Sequence, residues 1–159
     1  MRRCFGEATH EAPYLEDLVH RGLDIATALN GFELRFANAM TQASEDALLQ
    51  LWDVFRHLSY SGRSRNGLAG VVGISKAVLL LTEGRVGPAF DSKVRKELGI
   101  TDIQDASSWI ANLQRVAEDI GEFEQSNQCE LRDAVPAEYR SLHCGRLYDM
   151  ILGPGRDIV

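Results

Sequence analysis

Asp91 and the basic residues that follow it are the strongest candidates for chemistry in this sequence. Residues 90–95 are Phe-Asp-Ser-Lys-Val-Arg, so the carboxylate directly precedes a short basic stretch. An aspartate at this position is a preferred helix N-cap, a role worth about 1 kcal/mol. The same carboxylate could stabilise positive charge that develops on a sugar and orient an attacking water molecule. The sequence leaves both roles open for Asp91.

A glycine-containing stretch upstream supplies a second group of candidates. Residues 68–76 are Leu-Ala-Gly-Val-Val-Gly-Ile-Ser-Lys, in which Gly70 and Gly73 interrupt an otherwise helical apolar pattern. Such glycines predict a tight turn between two helices, the second of which begins near Ile74 or Ser75. The free N–H groups at a helix start attract anions, although most glycine-rich turns between helices bind nothing. The predicted phosphate or DNA contacts are Gly70, Gly73, Ser75, Lys76, Arg63, Arg65, Lys93 and Arg95.

Basic residues are concentrated around these candidates although the chain as a whole is acidic. Residues 56–96 contain eight Lys or Arg against two acidic residues, whereas the whole chain has a formal net charge of −6. An acidic chain is unsuited to coating nucleic acid without specificity, but a local basic patch can still bind phosphate groups. The charge distribution is therefore compatible with double-stranded DNA as a partner.

The segments that must position these residues have the apolar periodicity of α-helices. Apolar side chains recur at spacings of three and four in residues 14–29, 45–58, 109–125 and 142–151. The first helix is expected to begin at Pro13 and to end at the Asn-Gly pair 30–31, and the second to begin with Ser44 as its cap. Residues 32–40 favour a helix or a packed turn over a strand. Four large side chains are expected in the core: Trp52, Phe55, Trp109 and Phe123.

The sequence therefore predicts a compact single-domain all-α bundle of five to seven helices. We place this domain at residues 13–153, after a flexible N-terminus at 1–12 and before a C-terminal tail at 154–159. The longest apolar run, residues 77–81, is far too short to span a membrane, and no secretory signal follows the first methionine. The three cysteines are far apart, so we expect a cytoplasmic protein with reduced thiols, no metal and no cofactor.

Residues 66–99 resemble the helix-hairpin-helix and aspartate signature of DNA glycosylases of the endonuclease III superfamily. The hairpin of that family reads Leu-Pro-Gly-Val-Gly-x-x-x-Ala, and Leu68, Gly70, Gly73 and Ala77 are similar to its positions. The Val-Asp-Thr-His-Val segment of the family is similar to the residues around Asp91. The resemblance implies a helical DNA-binding protein in which this aspartate acts near a flipped-out nucleotide.

Several residues depart from the family pattern. Ala69 stands where the hairpin has its proline, the hairpin contains an additional valine, and Ser92 and Lys93 replace the Thr-His pair. Ser75 occupies the position of the Schiff-base lysine of bifunctional members, and Lys76 lies one position later. The cysteine-ligated iron–sulfur cluster of the family has no counterpart. The resemblance therefore implies monofunctional base excision without a lyase step.

Two functional hypotheses follow. The first is a DNA-binding protein of glycosylase-like fold with Asp91 as its catalytic carboxylate. The alternative is a non-catalytic helical module that keeps the same unit for structure, for binding a protein partner or for self-association. A small nuclease with an arginine–histidine pair is disfavoured, because Arg140 and His143 are too close in sequence. Asp149 could pack against residues 66–99 by pairing with a cation such as Arg95.

Overall fold

The computed structural model describes residues 15–58 and 68–153, which fold into helices joined by short turns. Six α-helices are present in these ranges: α1 (Leu15–Thr27), α2 (Gln42–Phe55), α3 (Val71–Leu81), α4 (Ser92–Glu97), α5 (Ala106–Asn127) and α6 (Cys144–Leu152). Three 3-10 helices lie at Leu34–Ala39, Leu131–Asp133 and Ala137–Tyr139. No β-strand occurs among the described residues, and the predicted all-α fold is confirmed. The predicted flexible N-terminus, the start at Pro13 and the C-terminal tail lie outside these ranges.

The core is built around α5, the longest helix. It packs against the 3-10 helix Leu34–Ala39, against α2 and against the 3-10 helix Leu131–Asp133. The rings of Trp52 and Trp109 lie with their centroids 5.8 Å apart, and Phe55 is fully buried, as the sequence predicts. Burial of each such side chain contributes roughly 1.5–3 kcal/mol. Phe123, which the sequence also predicts in the core, is partly buried and packs against it.

The ends of α1, α2 and α5 show which capping groups set the helix boundaries. α1 ends at Thr27 and is followed by a turn through residues 28–31, close to the predicted stop. The cap of α2 is Thr41 rather than Ser44, because the Thr41 hydroxyl accepts the N–H of Ser44 at 3.2 Å. The N-cap of α5 is Asp105, whose carboxylate forms a capping box with Ser108.

Gly73 lies inside α3 rather than in a turn before it, and Gly70 lies at the start of this helix. α3 begins at Val71, with Gly70 as its N-cap at φ −81° and ψ 173°, and Gly73 lies inside the helix. Neither glycine has a left-handed backbone, since the positive-φ glycines of the described chain are Gly84 and Gly99. α2 ends at residue 55 and residues 68–70 are not helical, so no described helix leads directly into α3. The described residues therefore do not confirm a helix-hairpin-helix unit.

A turn that requires glycine lies after α3, at residues 84–87, where α6 approaches closely. Gly84 has φ +82°, and a Cβ there would lie 2.9 Å from the Cα of Arg146. Gly145, in the first turn of α6, is packed as closely: a Cβ there would lie 2.6 Å from the carbonyl carbon of Gly87. Glycine at these positions lets the start of α6 cross residues 84–87 backbone to backbone. This crossing places α6 beside the segment that carries Asp91.

The close approach of α6 predicts opposite effects for two glycine-to-alanine substitutions. Gly145→Ala should lower the free energy of unfolding by about 1–3 kcal/mol, because the new methyl group has no room against residues 84 and 87. Gly121→Ala, inside α5 with no atom near its Cβ position, should raise it by about 0.5–1 kcal/mol through helix propensity. Urea unfolding followed by circular dichroism measures both. Equal effects of the two substitutions would contradict the crossing.

Candidate functional site

Asp91 caps α4, as the sequence predicts, but only through one of its oxygens. Oδ1 accepts the backbone N–H of Lys93 at 2.9 Å and that of Val94 at 3.0 Å. Within the described residues Oδ2 has no hydrogen-bond partner, and the side chain is half-buried. The capping bonds therefore fix the carboxylate while leaving one oxygen available.

Ser75 holds the backbone directly before Asp91. Its side chain is 1% exposed, and its hydroxyl accepts the N–H of Phe90 at 2.9 Å while donating to the carbonyl of Val71 at 2.7 Å. This bond links α3 to the start of α4. The Ser75 hydroxyl is therefore buried with both of its bonds inside the protein, and it is not available to contact a phosphate.

Asp149 holds the same segment from α6. Its Oδ1 accepts the N–H of Ala89 at 3.2 Å, and its Oδ2 accepts from the guanidinium of Arg146 at 3.0 Å. The cation that pairs with Asp149 is therefore Arg146, one helical turn away, rather than Arg95. With Ser75 on α3 and Asp149 on α6, two successive N–H groups before Asp91 are bonded by side chains of two different helices.

Charged groups from α3, from the start of α4 and from α6 act on the pKa of Asp149. Burial raises the pKa of Asp149, and the negative charge of Asp91 raises it further. The Ala89 N–H bond, Arg146 and Lys76 act in the opposite direction. Asp149 is therefore within electrostatic range of both Asp91 and Lys76. Lys76 itself is exposed to solvent.

The fold brings together only some of the basic residues and glycines that the sequence predicts as phosphate contacts. Gly70, Gly73 and Lys76 are exposed and lie at three-residue spacing, which puts them on one face of α3. Lys93 is exposed in the first turn of α4, two residues after the capping carboxylate. Arg95 is half-buried, and its Nε has no hydrogen-bond partner in the described chain. Arg63 and Arg65 lie outside the described residues.

No metal centre accompanies these residues in the part of the chain that is described. The described residues contain no group of three or more His, Cys, Asp or Glu arranged to hold a metal ion. Cys144 is buried and Cys129 is half-buried, and both are free thiols. Burial raises the pKa of the Cys144 thiol, which disfavours the reactive thiolate. No described helix has both the length and the apolar character needed to cross a bilayer.

Comparison with known proteins finds no matching family model, no matching curated protein and no matching solved structure. A functional assignment therefore depends on the arrangement around Asp91. The sequence predicts Asp149 beside residues 66–99 as the partner of a cation, but its bond to the Ala89 N–H could not be found from spacing, because the two residues lie 60 positions apart.

The capping role of Asp91 predicts different stabilities for two substitutions. Asp91→Ala should lower the free energy of unfolding by about 1 kcal/mol, because the N–H groups of Lys93 and Val94 lose their acceptor. Asp91→Asn keeps an acceptor oxygen and a good capping residue, so it should change stability by less than about 0.5 kcal/mol. Urea unfolding measures both variants. An asparagine variant as unstable as the alanine variant would contradict this assignment.

The raised pKa of Asp149 predicts a pH-dependent contribution to stability. A carboxyl whose folded-state pKa exceeds its unfolded value stabilises the fold fully below the unfolded pKa, and this contribution is lost as the pH rises through the folded pKa. The stability of the wild type relative to Asp149→Asn should therefore increase as the pH is lowered from about 7 to about 4. Urea titrations of both proteins at each pH measure this difference, and a change in the opposite direction would contradict it.

Proposed function

We propose that the exposed face of α3, together with the start of α4, binds duplex DNA and that Asp91 is the carboxylate of a monofunctional glycosylase-type reaction. The observation that carries this proposal is the hydrogen bonding of the two Asp91 oxygens. Oδ1 is anchored by two backbone N–H groups, while Oδ2 has no partner in the described chain. Lys76 is exposed, and Lys76 and Asp91 both act on the charge of Asp149. A fixed carboxylate with one available oxygen is suited to work on the sugar of a bound nucleotide.

The DNA backbone would be held by features of two helices. Gly70 and Gly73 carry no side chain and are exposed, so a phosphate can approach the backbone at the start of α3. That start has no side-chain cap, and the helix dipole favours an anion there. Lys76 on α3 and Lys93 in the first turn of α4 supply exposed ammonium groups. The contacts are electrostatic, so this binding must weaken as salt is added.

The proposed reaction breaks the bond between the sugar C1′ and the base nitrogen. The bonding electron pair leaves with the base, which takes up a proton from solvent, and positive charge develops on the sugar. Oδ2 of Asp91 stabilises that charge and orients a water molecule, which adds its oxygen to C1′ and releases a proton. Ser75 is buried and offers no amine for a Schiff base. The product is an abasic sugar in an unbroken strand.

The proposed contact with phosphate predicts an effect of charge reversal on DNA affinity. Lys76→Glu should weaken binding to a duplex with an abasic-site analogue by about tenfold, because one phosphate contact is lost and a repulsion is added. Arg21→Glu, on the exposed side of α1, makes the same charge change and should have little effect. Fluorescence anisotropy at two salt concentrations measures the affinities. Absence of binding at low salt, or equal effects of the two substitutions, would refute the DNA proposal.

The proposed chemistry predicts a loss of activity without a loss of fold. Asp91→Asn keeps the helix cap but removes the negative charge, so it should abolish base release while DNA affinity is retained or increased. The assay incubates the protein with duplexes that carry single damaged or mismatched bases, and abasic sites are revealed by alkali. Strand cleavage before alkali treatment would contradict the monofunctional scheme. Binding without base release in the wild type would limit the function to DNA binding.

A second candidate is a protein-interaction or self-association role, favoured by an exposed apolar pair. Leu80 on α3 is 77% exposed and Leu23 on α1 is 45% exposed, on two helices that contact each other. Sedimentation of the wild type and of Leu80→Ser over a range of concentrations tests this role. A concentration-dependent dimer that the substitution removes would support it, whereas a monomer at all concentrations would exclude self-association.

A further inference from the structure

A cavity of about 490 Å³ lies between α5, residues 131–139 and α6. Its walls are mainly apolar and include Ile120, Phe123, Leu131, Leu147 and Ile151. This volume falls within the range of about 300–1,000 Å³ that is usual for sites of small organic ligands. Neither Asp91, Asp149 nor Lys76 lines the cavity, so this site is separate from the proposed DNA surface.

The polar feature of the cavity is a tyrosine–aspartate pair. The hydroxyl of Tyr148 donates to Oδ2 of Asp119, and the tyrosine is 5% exposed. Burial, and then the bond to this carboxylate, raises the pKa of Tyr148, so the hydroxyl remains a donor at neutral pH. Oδ1 of Asp119 has no hydrogen-bond partner among the described residues, and the aspartate is exposed. The pair therefore presents one available carboxylate oxygen at an apolar cavity.

The charges of the side chains that line the cavity favour a cationic ligand over an anionic one. Asp119 is the one formally charged side chain among the described residues that line the cavity, and none of them is Lys, Arg or His. The exposed Glu118 and Glu122 adjoin it on α5 and add negative charge. The nearby Arg115 donates to the carbonyl of Leu98 at 3.0 Å. An anionic ligand would lack a partner here, whereas a cationic one would gain a charge-assisted hydrogen bond.

We propose that this cavity binds a small primary amine with an aromatic or aliphatic body. The body lies against the apolar walls, where the removal of its surface from water drives binding. The ammonium group donates to Oδ1 of Asp119 at the exposed edge. Tyr148 fixes the orientation of that carboxylate through Oδ2, so little conformational freedom is lost when the amine binds.

The test compares three ligands that share one hydrocarbon body: phenylbutylamine, phenylbutanol and phenylbutyrate. Each is titrated into the full chain, and amide NMR spectra report the affinity and the location of binding. We expect the amine to bind about tenfold more tightly than the alcohol, because of the charge-assisted bond, and the carboxylate to bind most weakly. The shifted resonances should belong to α5, residues 131–139 and α6.

Two variants separate the charge of the site from the general charge of the surface, and a third tests whether the ligands bind in the cavity. Asp119→Asn should reduce the affinity for the amine to that for the alcohol, whereas Glu118→Gln, which removes the same charge from a neighbour outside the lining, should leave the tenfold preference. Ala134→Trp places a large ring at the cavity wall and should weaken binding of all three ligands. The folding of each variant is checked by its circular dichroism spectrum and its unfolding midpoint.

Several outcomes would overturn the proposal. These are no binding of the amine at millimolar concentration, equal or tighter binding of phenylbutyrate, and equal losses in Asp119→Asn and Glu118→Gln. Shifts that map to α3 and α4 would also overturn it, because they would place the amine at the other site. The DNA-binding assays do not depend on this cavity, so either proposal can fail alone.

Discussion

The backbone crossing between α6 and the turn after α3 is the constraint on which the candidate site depends. Gly84 and Gly145 have no Cβ, so the first turn of α6 approaches residues 84–87 more closely than other residues would allow. That approach brings the carboxylate of Asp149 within 3.2 Å of the Ala89 N–H. Without it, the Ala89 N–H would lose its side-chain acceptor, and the bond between Ser75 and Phe90 would remain.

The hydrogen bonds around Asp91 allow this residue to cap α4 and to act as a reactive carboxylate. The cap uses a single oxygen, and the surrounding bonds from α3 and α6 belong to neighbouring residues rather than to the second oxygen. Capping α4 therefore leaves Oδ2 of Asp91 without a hydrogen bond in the described chain. This is the reason that the two hypotheses drawn from the sequence are compatible at Asp91, and that asparagine, which caps equally well but lacks the charge, separates them.

The two sides of α6 perform different tasks. Asp149 and Gly145 face residues 84–89, whereas Leu147 and Tyr148 face the cavity beside α5. This division follows from helical geometry, because consecutive residues point about 100° apart. A nine-residue helix near the end of the described chain thus joins the DNA surface proposed on α3 and α4 to the separate site proposed for an amine.

The sequence by itself determined the all-α class, most helix positions and the capping of α4 by Asp91, because apolar periodicity and capping are local properties. Only the tertiary structure decided that Gly73 lies inside α3, that the Ser75 hydroxyl is buried, and that Asp149 bonds to Ala89. A glycine pattern does not distinguish a turn from a helix with an exposed glycine. Contacts between residues 60 positions apart depend on how helices cross, which spacing in one sequence does not encode.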